Sequence, residues 1–178
     1  MGVYRNCLTP TTLARAKHIR LAAFDVDGVM SDGTLAYTDS GSETKVFHVL
    51  DGQGLKSLAA VGVVLAIVSA RQSPMVQRRA EELGILHLIQ ASKDKLASLT
   101  SLAISLNLQL AQCAFMGDDV ADVGALQACG FACSVPRAPL LVRQSAHYVT
   151  RRQGGAGAVR ELCDLLARAR ARVRARIQ

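Results

Sequence analysis

Phe24-Asp25-Val26-Asp27-Gly28-Val29 closes an apolar run that begins at Ile19. A strand of that composition is buried, and its last residues open into a loop. Asp25 and Asp27 then lie at the carboxyl edge of a sheet, where open α/β folds build their sites. Two close carboxylates repel each other, and burying them unpaired is costly. A bound cation removes that cost, so this stretch predicts both a strand end and a cation site.

Outward from this stretch, strand-like runs alternate with helix-like segments. Strands are predicted at 19–24, 63–68, 86–90, 113–116, 131–135 and 147–149. Helices are predicted at 54–60, 74–83, 93–106, 120–128 and from 156 to about 170. Pro74 suits a first helical turn, and Gly84 suits a helix end. The alternation predicts an α/β fold: a Rossmann-like parallel sheet with helices on both faces. Residues 34–37 and 43–50 flank a Gly-containing turn at 38–42, which predicts a β-hairpin flap over the carboxylate loop, about 34–50. An isolated hairpin is marginally stable, so a neighbouring subunit is expected to support it.

The chain has 178 residues, half of them hydrophobic and 4% aromatic. That suits a single domain spanning 1–178 with a core of Ala, Leu and Val. No apolar run reaches the roughly 18 residues needed to span a bilayer. Residues 1–17 lack a signal-peptide pattern, so a cytoplasmic protein without membrane contact is expected. Cys7, Cys113, Cys129, Cys133 and Cys163 are odd in number and form no CxxC pair, which favours free buried thiols over zinc. The net charge is +7, and Arg168, Arg170, Arg172, Arg174 and Arg176 carry most of it. Their period-2 spacing scatters around a helix, so an Arg-rich extension at about 167–178 is expected to be solvated. A nucleic-acid partner is disfavoured by the scarcity of aromatic residues for stacking bases, and none is expected.

Three more motifs follow predicted strands. Ser69-Ala70-Arg71 offers a hydroxyl and backbone N–H groups for a phosphate, and a guanidinium for a second anion. Lys95 follows the 86–90 strand. Gly117-Asp118-Asp119, with Asp122 one turn later, again suggests a cation site, although a helix cap accounts for one of these acids. His87 and His147 read as packing or surface residues.

The order DxDG, S-x-R, K, GDDxxD resembles the haloacid dehalogenase superfamily of phosphohydrolases over about residues 18–165. The runs DVDGVMSDGTL, KVFHVLDGQGLK, SAR and GDDVADVGAL, with the segment 148–166, resemble the cap-less 3-deoxy-D-manno-octulosonate 8-phosphate phosphatases of lipopolysaccharide synthesis. The resemblance implies a Mg²⁺-dependent phosphatase of a small sugar-acid phosphate, a homotetramer whose hairpins and C-terminal tails reach neighbouring sites. It makes Asp25 the nucleophile and a metal ligand. Asp27 becomes the general acid/base, touching substrate and giving its carbonyl to the metal, and Asp118 the third ligand. Asp119 supports the metal shell or the nearby lysine. Ser69 and Lys95 match phosphate binders, while His48, Asp51, Gly52, Lys56, Arg71 and Arg79 match substrate-contacting positions. The Gly154–Gly157 loop is expected to dock at a neighbour. Family members usually carry arginine at Leu50 and often glycine at Ala70 and Ala91; losing the arginine removes a candidate carboxylate clamp. A phosphatase of a nine-carbon ulosonate 9-phosphate and a non-catalytic tetrameric scaffold, like that fused to some sugar cytidylyltransferases, are the alternatives.

Overall fold

The computed structural model describes residues 9–174, and the side chains of 9–171. Cys7 and Arg176 lie outside the described residues, as do the side chains of Arg172 and Arg174. The central strand β1 (Leu21–Phe24) is buried along its whole length. It pairs in parallel with β4 (Val64–Val68) on one side and β6 (Cys113–Met116) on the other. Outside β4 lies β5 (His87–Ile89), and outside β6 lie β7 (Phe131–Ser134) and β8 (Tyr148–Val149). All six strands are parallel. The chain fills one flank of β1 before crossing to the other, so the switch in strand order falls at β1 and β6. Open sheets form their crevice there.

Right-handed crossovers set α2 (Val49–Ala60) and α3 (Pro74–Leu83) on one face, and α4 (Lys95–Ser105) and α5 (Val123–Ala128) on the other. The long C-terminal helix α7 (Ala158–Arg174) packs against α2 and against α1 (Pro10–Ala16). Its apolar spacing predicts one buried face, and Val159, Leu162, Cys163, Leu165 and Leu166 are all buried. The core closes on Phe24, Phe115 and Phe131, all fully buried. Cys113, Cys129, Cys133 and Cys163 are free and buried. No helix among the described residues is long and apolar enough to cross a membrane.

Several expectations are corrected. Helix α2 begins at Val49, five residues earlier than predicted, with His48 as its N-cap. The hairpin therefore ends before residue 49, and its paired strands are only β2 (Ala36–Tyr37) and β3 (Glu43–Thr44). Helix α1 was not predicted, although Thr9 caps it and Pro10 opens it. Nor was α6 (Leu140–Gln144). The described part of the Arg-rich extension, expected to be solvated, continues helix α7 and is partly packed. Ala169 is 2% exposed, and Arg170 donates to the Ile19 carbonyl at 2.9 Å.

Candidate active site

The ends of β1 and β6 place two acids side by side. The Asp25 N–H donates to the Met116 carbonyl at 2.9 Å, so the last rung of the ladder fixes the first residue of the catalytic loop. Gly28 then adopts φ +86°, and a Cβ there would lie 2.0 Å from Asp118 Oδ2. Only glycine lets the loop from β1 approach the loop from β6 this closely.

Lys95, the first residue of α4, reaches into this crevice. It is buried, and its Nζ lies 2.9 Å from Asp25 Oδ2 and 2.5 Å from Asp122 Oδ1. Burial opposes charging Lys95, but Asp25 and Asp122 outweigh it and hold its pKa above the usual lysine value. The second oxygen of Asp122 accepts the N–H groups of Asp118 and Asp119, both at 2.9 Å. Asp122 is thus a fully engaged scaffold acid between the lysine and the loop.

The acids themselves are under electrostatic pressure. Burial, then the charge of Asp122, raises Asp25 to about 6 despite Lys95. Burial, then Asp25 and Asp122, raises Asp118 to about 7. Oxygens of Asp25, Asp118 and Asp122 lie within 4.8 Å of one another. Asp118 Oδ1 is buried and accepts no hydrogen bond among the described residues. Clustered hard oxygens with a lone pair left over fit a hard divalent cation such as Mg²⁺. With both Asp122 oxygens occupied, Asp25 and Asp118 are the acids that can bind it directly.

Around this centre the predicted residues divide. Ser69 directly follows β4, buried, with its Oγ accepting the Arg71 N–H at 3.2 Å. The Asp27 carboxylate turns toward the hairpin, paired with Lys45 and, at 3.6 Å, with Arg71. Asp51 is corrected: it is 2% exposed and accepts from Gly157 N (3.3 Å) and Arg160 N (2.8 Å), capping α7. Gly52 faces Arg79 instead of the crevice, since a Cβ would lie 2.5 Å from Arg79 Nη2. Arg79 sits over the Phe47 ring, pairs with Glu82 and donates to the His48 carbonyl. His48 Nδ1 accepts from Leu50 N, and Lys56 is exposed on α2. Asp119 is exposed and caps the 3₁₀ turn Val120–Asp122; the contact with Lys95 belongs to Asp122. The Gly154–Gly157 loop docks on its own chain. Gly155 N donates to the Val29 carbonyl at 3.0 Å. Beside Asp118 this loop helps enclose a cavity of about 140 Å³, together with Gly28, Asp32 and Arg137.

Comparison with known proteins agrees with this geometry. A family model described as haloacid dehalogenase-like hydrolase matches residues 80–162. The 3-deoxy-D-manno-octulosonate 8-phosphate phosphatase KdsC of Yersinia pestis is 43% identical over 154 residues, 86% of this chain and 82% of the relative. The chain belongs to the 3-deoxy-D-manno-octulosonate 8-phosphate phosphatase family. The family's enzyme from Moraxella catarrhalis, solved with magnesium, phosphate and KDO, matches at TM-score 0.89 and 45% identity. That match covers 94% of this chain and 98% of the other. The cobalt-bound Haemophilus influenzae enzyme matches at TM-score 0.85 and 35% identity, covering 88% of this chain and 92% of the other.

Two residues that sequence reading did not assign complete the picture. Asp122 was noted only for its spacing, and a D-x-x-D capping pattern accounts for it without a site. Lys45 carried no local signal; its partner Asp27 is 18 residues away. The family departures also find their places. Ala91 holds φ +53°, where glycine is unstrained. Leu50 is exposed in the first turn of α2, 47% accessible.

Proposed function

We propose that this protein hydrolyses 3-deoxy-D-manno-octulosonate 8-phosphate to the free sugar acid and phosphate, as a Mg²⁺-dependent, cytoplasmic phosphatase of lipopolysaccharide synthesis. The observation that carries the reading is the cluster of buried Asp25 and Lys95 with half-buried Asp118 at the switch point, in a chain 45% identical to a phosphatase solved with magnesium, phosphate and KDO.

Asp25, Asp118 and the Asp27 carbonyl are the groups that would hold Mg²⁺, which when bound neutralises phosphoryl charge so that a carboxylate can approach. Lys95 fixes Asp25 by one oxygen and brings a second positive charge to the crevice. The free oxygen of Asp25 attacks phosphorus as the bond to the sugar oxygen breaks, giving an aspartyl-phosphate. Asp27, protonated as the ester is cleaved, gives its proton to the departing sugar oxygen and, now a carboxylate, takes one back from the water that cleaves the aspartyl-phosphate. Inorganic phosphate leaves and both acids return to their starting state. Ser69 and Lys95 bind the phosphate, and Arg71, at the flap base, contacts the sugar acid.

The scaffold reading requires none of Asp25, Asp27, Lys95 and Asp118, yet all four are present. The nine-carbon ulosonate 9-phosphate remains the rival substrate, because Leu50 supplies no charge for a carboxylate. Turnover of the two phosphates, with Mg²⁺ and with EDTA, separates these readings: preference for the eight-carbon ester supports the proposal, and preference for the nine-carbon ester replaces it. The flap leaves Leu35, Tyr37 and Val46 exposed, from 43% to 78%, and Val49 at the adjoining start of α2 is 80% exposed. Such a patch calls for cover, which supports a homotetramer in which flaps pack together. A fully active monomer in sedimentation at micromolar concentration would overturn that assembly.

A further inference from the structure

The acid/base candidate Asp27 is held by the flap. Its carboxylate pairs with Lys45, which follows β3, and Lys45 pairs with Glu43 at 2.8 Å. Glu43 turns its other oxygen to Arg71 Nη2 at 2.9 Å, and Arg71 Nε returns to Asp27 at 3.6 Å. Four charges of alternating sign thus close a ring between the catalytic loop, the hairpin and the loop after β4.

The two cations differ in a way that assigns them different tasks. The Arg71 side chain is 41% exposed, so it can exchange Asp27 for an incoming anion at little cost. The Lys45 side chain is 1% exposed. Its pairing is shielded from water, and a shielded pair loses much when one partner is removed. Lys45 is therefore the fixed support and Arg71 the exchangeable one. Asp27 is 22% exposed and lies on a loop whose next residue is a left-handed glycine. Of the ion-pair partners seen for its carboxylate among the described residues, Lys45 alone is shielded from solvent.

We propose that Lys45, oriented by Glu43, is the positioning residue for Asp27, so that proton transfer to and from Asp27 depends on the flap being seated. This rests on the phosphatase reading above. Misplacing an acid/base by an ångström forfeits much of its contribution. The loss should appear where a proton is needed and vanish where it is not.

The test compares Lys45→Met, Lys45→Arg and Glu43→Gln with wild type on a sugar phosphate and on p-nitrophenyl phosphate, whose nitrophenolate leaves without a proton. Lys45→Met should lower kcat on the sugar phosphate about ten- to a hundredfold, with KM moved less than about threefold. The pre-steady-state release of nitrophenolate should stay within about threefold of wild type. Lys45→Arg should recover part of the loss. In an Asp27→Asn background, Lys45→Met should change kcat less than about twofold, because the two residues act as one unit. A pre-steady-state nitrophenolate release lowered as much as kcat on the sugar phosphate, full additivity with Asp27→Asn, or a raised KM at unchanged kcat would overturn the proposal. If circular dichroism shows Lys45→Met unfolded, Glu43→Gln is held to the same criteria. A wild-type protein inactive on every phosphate ester would overturn the phosphatase reading and this proposal together. An active wild type with an indifferent Lys45→Met overturns this proposal alone.

Discussion

Asp122→Asn keeps the size and shape of a fully buried side chain and removes one charge. The carboxylate uses both oxygens: Oδ1 takes Lys95 at 2.5 Å, and Oδ2 takes the N–H groups of Asp118 and Asp119 at 2.9 Å. An amide has one acceptor oxygen. If that oxygen serves the two N–H groups, the amide NH₂ meets the Lys95 ammonium, donor against donor. If it serves Lys95, the NH₂ meets the two N–H groups. Breaking one side of a buried ion pair costs about 3–5 kcal/mol. Two effects offset part of this. Lys95 keeps Asp25 at 2.9 Å, and removing the Asp122 charge relieves the pressure on Asp25 and Asp118. The expected net loss is about 2–4 kcal/mol, or roughly 5–15 °C in Tm for a chain of this size. Urea unfolding at pH 7.5 in EDTA measures it. Because both Asp122 oxygens are already engaged, Mg²⁺ affinity by calorimetry should fall only about ten- to a hundredfold, whereas Asp118→Asn should abolish it. A variant within about 0.5 kcal/mol of wild type, or one that loses Mg²⁺ binding as Asp118→Asn does, would refute the scaffold role.

Three further outcomes follow from the same geometry. Asp25 at about 6 and Asp118 at about 7 are raised above the ordinary 3.8. Their contribution is therefore full below about pH 4 and is lost as pH rises through 6 and 7. Calorimetry of EDTA-treated protein should show this loss between about pH 4 and 7 and a plateau above it, with Mg²⁺ raising Tm more at pH 8 than at pH 5; the opposite order would contradict the cluster. At Gly154 a Cβ would sit 1.8 Å from the Gly28 carbonyl oxygen, so Gly154→Ala must displace the catalytic loop. It should cost about 1–3 kcal/mol and at least about tenfold in kcat, read by urea unfolding and steady-state assay. Ala91→Gly releases a left-handed φ of 53° and should stabilise by about 0.5–1 kcal/mol, a small rise in Tm by calorimetry.

What the sequence disclosed and what it hid have physical causes. The ends of β1, β4 and β6 were legible because each is a short apolar run closed by Asp25, by Ser69 or by Gly117-Asp118, where the apolar pattern stops. The start of α2 was not, because Gly52 and Gly54 both argue against a helix. Tertiary packing requires them there: a Cβ at 52 would meet Arg79 at 2.5 Å, and one at 54 would meet Arg160 at 2.8 Å. The family resemblance made Asp51 a substrate contact, but it caps a helix more than a hundred residues away. The Gly154–Gly157 loop was expected to dock at a neighbouring subunit. Its target is the chain's own catalytic loop, which no local pattern reveals. This docking also bears on truncation. A cut after Thr150 removes Val159, Leu162 and Leu166 from the core, so the loss of α7 and the loss of the site cannot be separated that way.

Phosphate release from 3-deoxy-D-manno-octulosonate 8-phosphate by wild type and by Asp25→Asn, each with Mg²⁺ and with EDTA, tests the central claim most directly. Rapid release by wild type that EDTA stops and Mg²⁺ restores is expected, with no turnover by a folded Asp25→Asn. Hydrolysis by Asp25→Asn at near the wild-type rate, or undiminished wild-type turnover after exhaustive chelation, would contradict it.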